Sequence, residues 1–363
     1  MGIRGEYEFR RDVSLMSTKL ETEQHADELR HVTVRLTSAE IANLWTQYIN
    51  DSMAACFITH SLKHVQDEDV RSILESALGL ATTHMGKVKA FMTDEGFTPP
   101  VGFTEEDVIN RSAPSLFSDE FLLNYFYVMT LLGLTSYAGA LSTSTRSDLR
   151  RYFTACNTET MELFNTIVDA LLEKGLYVRP PHIPVSQQVD YIDKQSYLAG
   201  WFGRQRPLNA IEISSIFFNI VKIEAKIVLE MAFSQVAQDR DIRKYLRRGV
   251  GLCQEHFETL SKELSENDLP QPRKWESEIT DSTIPPFSDK LMLFHIVALI
   301  SASAAFYGAG LSVSQRRDLG VKYTKLIADM GLYAEDGVNL LIGRGWLEEP
   351  PGASDREALT KQR

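Results

Sequence analysis

An internal repeat restricts this chain more than any other feature. Its second half matches its first at an offset of 172 residues, and at 170 after a two-residue deletion. Leu36, Glu40 and Ile41 recur as Leu208, Glu212 and Ile213, and Gln66, Asp67, Asp69, Arg71, Leu74 and His84 recur as Gln238, Asp239, Asp241, Arg243, Leu246 and His256. Phe117-Ser118-Asp119 recurs as Phe287-Ser288-Asp289. The densest match sets Tyr137, Leu141, Ser142, Ser144, Arg146, Asp148 and Leu149 against Tyr307, Leu311, Ser312, Ser314, Arg316, Asp318 and Leu319. Each copy ends alike, Lys174-Gly175 before Pro180-Pro181 and Arg344-Gly345 before Pro350-Pro351. A period this long means a duplicated domain and not a solenoid. Whatever fold serves one half must serve the other.

Within one copy, four helical stretches alternate with breaks. The first, about 38–66, carries Ile41, Leu44, Trp45, Tyr48, Ala55, Ile58, Leu62 and Val65 at spacings of three and four, the buried stripe of an amphipathic helix. The second runs about 69–94 and stops before Gly96 and Pro99-Pro100. A long connection, 97–117, precedes a third helix over 118–143, opened by Ser118, Asp119 and Glu120. Oxygens there accept orphan N–H groups and oppose the helix dipole. The fourth, 147–174, ends at Lys174-Gly175. The second copy predicts helices at 210–238, 241–266, 288–313 and 317–343. Two short turns and one long crossover per copy give the ferritin-like four-helix topology. The predicted fold is all-α: two tandem ferritin-like four-helix bundles, with little sheet.

The predicted domains are an N-terminal arm without fixed structure (1–35), a first bundle (36–179), a linker (180–207), a second bundle (208–352) and a C-terminal tail (353–363). Met16 is a second candidate start. The linker is expected to pack through Tyr191, Tyr197, Trp201 and Phe202, with a short helix near 186–199. Net charge is −11, which disfavours nucleic acid, since phosphate binding needs clustered cations. The dense basic run, Arg240, Arg243, Lys244, Arg247 and Arg248, is interleaved with acids and reads as a solvated helix face. Cys56, Cys156 and Cys253 are odd in number and far apart, as free buried thiols of a reducing cytoplasm would be.

Residues 121–143 lack any charge, and 291–313 hold only His295 as a titratable base. Both are long enough to span a bilayer. The expectation is instead a central helix buried on all sides in a protein that uses no membrane, with Gly139 and Gly310 allowing close approach.

Candidate chemistry is sparse. A di-metal carboxylate centre needs Glu-x-x-His pairs facing inward, and no predicted core helix has one. A weaker His/carboxylate site for Fe, Mn or Zn remains a candidate. His256 and His295 with Glu224, Glu230 or Glu335 would form it in the second copy. His84 and Tyr125 with Glu159 or Glu162 would form it in the first. The competing reading makes these histidines hydrogen-bonded core residues. His60 and His64 have the spacing of a metal clip, but Ala232 and Val236 replace them in the second copy, so they are expected at the surface. In Ser-x-Arg-x-Asp-Leu (144–149 and 314–319), Ser is expected to cap, Asp to oppose the dipole and Arg to bridge neighbours. No phosphate loop, dinucleotide turn or hydrolase elbow occurs.

The segments LTSAEIANLWTQYINDSMA (36–54), VGFTEEDV (101–108), LSTSTRSDLR (141–150), KGLYVRPPHIPV (174–185), PLNAIEI (207–213), SDKLMLFHIVALI (288–300) and GWLEEPPGASDREAL (345–359) resemble the domain-of-unknown-function 3231 family of spore-forming bacteria. RRDLG (316–320) and YAEDG (333–337) carry the same resemblance. It covers about 36–360 and implies ferritin-like bundles similar to coat F type proteins, a spore-former's cytoplasm or forming spore, and no established activity or catalytic residues. The expected role is structural or interaction-based and non-enzymatic, with protein partners or self-association as a homo-oligomer. The alternative is a metal- or small-ligand-binding protein with its site inside a bundle.

Overall fold

The computed structural model describes residues 34–185, 187–200 and 205–361. The N-terminal arm therefore lies outside the described residues save its last two, as do Trp201 and Phe202 of the linker. The chain is all-α, with eight main helices in two four-helix units. The first unit holds α1 (Ser38–Ser61), α2 (Glu68–Asp94), α3 (Asp119–Thr143) and α4 (Ser147–Glu173). The second holds α5 (Ala210–Val236), α6 (Arg240–Ser265), α7 (Asp289–Val313) and α8 (Arg317–Gly343), followed by a short α9 (Arg356–Thr360). In each unit the first two helices form one antiparallel hairpin and the last two another, joined by the long crossover.

The repeated residues are the ones that start and stop these helices. Thr37 and Asn209 cap α1 and α5 in capping boxes with Glu40 and Glu212. Asp67 and Asp239 cap α2 and α6, and Ser118 and Ser288 cap α3 and α7. Asp119 accepts the N–H groups of Gln66 and Asp67, tying the start of α3 to the turn before α2, and Asp289 does the same for Gln238 and Asp239. Lys174 reaches back to Asp67 and Asp69, as Arg344 does to Asp239 and Asp241. Helix α1 ends at Ser61, earlier than expected. His60 turns inward there, and residues 62–65 form a turn whose carbonyls Arg71 gathers at Leu62 and Val65.

The two units share one hydrophobic core. Phe57 of α1 packs between Phe117, Tyr125 and Phe126 of its own unit and Phe287 and His295 of the other. The crossovers also interlock. Ser118 donates to the Glu278 carbonyl and Thr280 to that of Leu116, around the single β-bridge among the described residues, Phe117 with Ile279. Ser288 donates its N–H and hydroxyl to Asp107. Gly102 sits at φ +65° with Ser52 packed where a Cβ would stand, so a side chain there is excluded twice over. Its N–H and that of Val101 bind the Glu348 carboxylate at 2.7 Å each, and its carbonyl takes the Lys290 ammonium.

Helices α3 and α7 are long and apolar enough to cross a membrane, and half of the apolar window in each is buried. The expectation of burial on all sides holds only for their first halves, 121–128 and 291–300, which meet at the interface between units. Their second halves are mostly half-buried or exposed apart from Thr130, Ala140, Tyr307 and Gly310; Gly139 faces open space, whereas Gly310 abuts Tyr323 and Ser215. The expected linker helix is reduced to one 3-10 turn, Gln195–Leu198. Tyr191 is exposed, while Tyr197 lies under the Arg206 guanidinium.

Candidate metal site inside the first bundle

Two kinds of polar group lie inside the units. The first closes the α3–α4 and α7–α8 corners. Glu40 is fully buried and accepts from the N–H groups of Thr37 (2.8 Å), Thr145 (2.8 Å) and Arg146 (2.9 Å). It thus caps α4 from another helix. Burial alone would raise this carboxyl, but the donors of Arg146, Thr37 and Thr145 outweigh it and hold the group at about 2. Glu212 repeats the arrangement with Gln315 and Arg316 and adds an ion pair to Arg206. Arg146 bridges Glu95 and Asp148, and Arg316 bridges Glu263 and Asp318. The arginines therefore bridge, as expected. The serines cap the helix before the turn and not the one after it: Ser144 and Ser314 are the C-cap residues of α3 and α7 and donate back to the carbonyls of Ala140 and Gly310.

The second kind sits mid-bundle. In the first unit His84 of α2 donates from Nε2 to Glu159 of α4 at 2.9 Å. Its Nδ1 faces the Tyr137 hydroxyl of α3 at 3.4 Å and Asp51 of α1 at 3.8 Å. Cys156, one turn before Glu159, is fully buried and lies 3.9 Å from Gln47 Nε2. Burial pushes its thiol up to about 11 and raises Asp51 well above the usual carboxylate range. All four helices thus converge on one imidazole. His84, Cys156 and Glu159 place ligand atoms within 4.8 Å of one another, the one such His/Cys/acid group among the described residues.

The second unit keeps the imidazole and changes its surroundings. His256 contacts Asp329 at 3.3 Å and Tyr307 at 3.2 Å. Burial, aided by the nearby Lys226 charge, lowers its pKa to about 4. Lys226 is buried and donates to Ser303 at 3.1 Å and Met330 sulfur at 3.2 Å. Glu230, one turn on, has neither oxygen hydrogen-bonded, and burial raises it to about 7 despite the attraction of Lys226.

The structure does not bring the expected second-unit set together. His295 lies at the interface between units, bonded to Tyr125 at 2.7 Å, with burial lowering it to about 3. Glu224 accepts the Trp275 N–H at 2.7 Å, and burial raises it to about 8. Glu335 and Glu162 are exposed. In the first unit Tyr137 takes the place expected of Tyr125. His60, expected at the surface, is buried and bonds the Ala113 carbonyl at 3.0 Å. Asp51, Cys156 and Lys226 were missed as site residues. Asp51 had a signal: it interrupts the apolar stripe of α1, one turn from Tyr48 and Ala55.

A protein-family model described as "protein of unknown function (DUF3231)" matches residues 26–189 and again 196–359. No curated protein matches the chain. Among solved structures it is similar to a putative spore coat protein from Bacillus halodurans, at 18% identity and a TM-score of 0.38, over 41% of this chain and 98% of that one.

Proposed function

Since the chain belongs to the DUF3231 family of proteins of unknown function, in two tandem copies, we propose that it is a non-enzymatic structural or interaction protein. It acts through its outer surface, on protein partners or further copies of itself, in the cytoplasm or forming spore, without a membrane. The observation that carries this reading is how the interior is used. The shared core locks both units together, and two narrow voids beside it hold about 30 and 10 Å³, room for at most a water or two. Small-molecule sites usually enclose about 300–1,000 Å³. A recess by α5 and α7, about 540 Å³, is an open groove along Ile211, Phe218, Lys222 and Phe306, shaped for another surface more than for a sequestered reactant.

Sedimentation velocity of tag-free protein over a wide concentration range, with cross-linking in the native host, tests this. Concentration-dependent association, or one reproducible cross-linked partner lost in Phe306→Asp, is expected. A strictly monomeric chain with no cross-linked partner would overturn it.

A further inference from the structure

We propose that the first unit, and not the second, binds a single divalent cation of the zinc class through a ring nitrogen of His84, the Cys156 thiolate and the Glu159 carboxylate. This goes beyond the reading above and does not depend on it.

The donor set comes first. One imidazole, one thiolate and one carboxylate form the mixed N/S/O set that zinc accepts, and three protein ligands leave a position for water. With metal–ligand bonds of roughly 2.0–2.3 Å in a tetrahedron, donors lie roughly 3.3–3.8 Å apart. The three observed atoms fall within 4.8 Å, so closing on a cation takes side-chain adjustments of about an ångström and leaves the helices in place. As the cation enters at Nε2, the thiol proton leaves to solvent and the imidazole keeps its single proton on Nδ1. Glu159 is about a third exposed, which gives the cation a way in from the surface of α4.

The surroundings supply a second, independent observation. Gln47 Oε1, Asp51 Oδ2 and the Tyr152 hydroxyl are buried around this point without a hydrogen-bond partner. Orphaned buried oxygens are costly, and natural interiors carry few. Two of these, Gln47 Oε1 and Asp51 Oδ2, are acceptors in want of a donor, and a cation with bound water supplies what they lack. Asp51, 3.8 Å from Nδ1, would orient the ring once the other nitrogen is ligated, the usual arrangement behind a metal-bound histidine.

The duplication provides an internal control. The second unit retains His256, Asp329 and Tyr307, but Leu326 stands where the first has Cys156 and Ile223 where it has Asp51. The Lys226 ammonium lies close enough to depress His256. A fixed cation from α5 thus occupies the electrostatic role that the first unit leaves open.

Equilibrium dialysis of the tag-free full-length chain against Co²⁺ or Zn²⁺ alone, with elemental analysis and absorption spectroscopy, decides the matter. One ion per chain is expected, with a thiolate-to-cobalt charge-transfer band. Cys156→Leu, a change the second unit already accommodates, should abolish the band and weaken Zn²⁺ binding at least tenfold. His84→Gln should weaken it at least as much, and His256→Gln should leave stoichiometry and band unchanged. Zn²⁺ should raise the melting temperature of the wild type but not of Cys156→Leu, whose helical circular dichroism without metal reports that it has folded. A chain that retains no ion, a cobalt complex without the thiolate band, or equal losses in His256→Gln and His84→Gln would each overturn the assignment.

Discussion

Glu40 and Glu212 do work that a capping residue of the helix itself usually does. Each begins one helix and closes the N-terminus of another about a hundred residues away, with no water needed. Replacing Glu40 by Gln keeps the shape, removes the charge that draws these donors together, and turns one acceptor into a donor facing donors. Glu40→Gln should cost about 1–3 kcal/mol in urea denaturation at pH 7. The loss should shrink in acid, because the native carboxyl holds its charge down to about 2 while the unfolded one protonates near the ordinary glutamate value of 4.5. Its stabilising contribution is therefore complete above 4.5 and fades as pH falls towards 2. Glu230 behaves oppositely. Burial raises it to about 7, so between 4.5 and 7 the native state holds a proton the unfolded chain has released, and stability declines as pH rises through that window. Glu230→Gln should be near neutral at pH 5 and more stable than wild type at pH 8, by about 1–3 kcal/mol. The lower figure allows for lost attraction to Lys226. Equal differences at the two pH values would refute it. Glu40 was legible in the sequence as a repeated residue, but not as the cap of a remote helix, because that contact depends on tertiary packing.

The helices themselves were largely written in the pattern. Period, cap residues and Gly stops placed all eight main helices within a few residues, since N-caps and αL glycines act locally and leave local traces. What the pattern could not supply was which neighbour each apolar face meets. The uncharged stretch of α3 looked uniformly buried, yet only its first half lies against the second unit. Gly139 of α3 and Gly310 of α7 differ in what they meet. A Cβ on Gly310 would lie 2.6 Å from Tyr323 Cζ and 2.9 Å from Ser215 Oγ, whereas one on Gly139 would meet nothing within 4 Å. Gly310→Leu should therefore cost about 1–3 kcal/mol through overpacking, and Gly139→Leu should fall within about 0.5 kcal/mol of wild type. Thermal melts of the two variants make the comparison, and equal losses would mean that Gly139 itself is packed against a neighbour. The same limit explains the missed metal ligands. Cys156 and Asp51 stand on different helices, and no spacing within either predicts that both would turn towards His84.

The duplication has not left two independent bundles. A chain of two separable domains would put polar rims at their boundary, but here that boundary is aromatic: Phe57, Tyr125 and Phe233 pack on the neutral imidazole of His295, with Phe117 and Phe287 against Phe57 and Phe233. The polar bond at its centre, Tyr125 to His295, crosses between units, and the crossovers interlock around it. Each unit therefore completes the other's core, and neither buries its own apolar face alone. Phe57 touches both sides, so Phe57→Ala should cost about 3–5 kcal/mol and weaken the second unit as much as the first. Hydrogen exchange followed by mass spectrometry reads this directly. In wild type the slowest amides of α1 and α5 should open together, and in Phe57→Ala protection should fall in both helices by similar factors. Loss confined to α1–α4 would mean that the units unfold separately and that the shared core contributes contact without cooperativity.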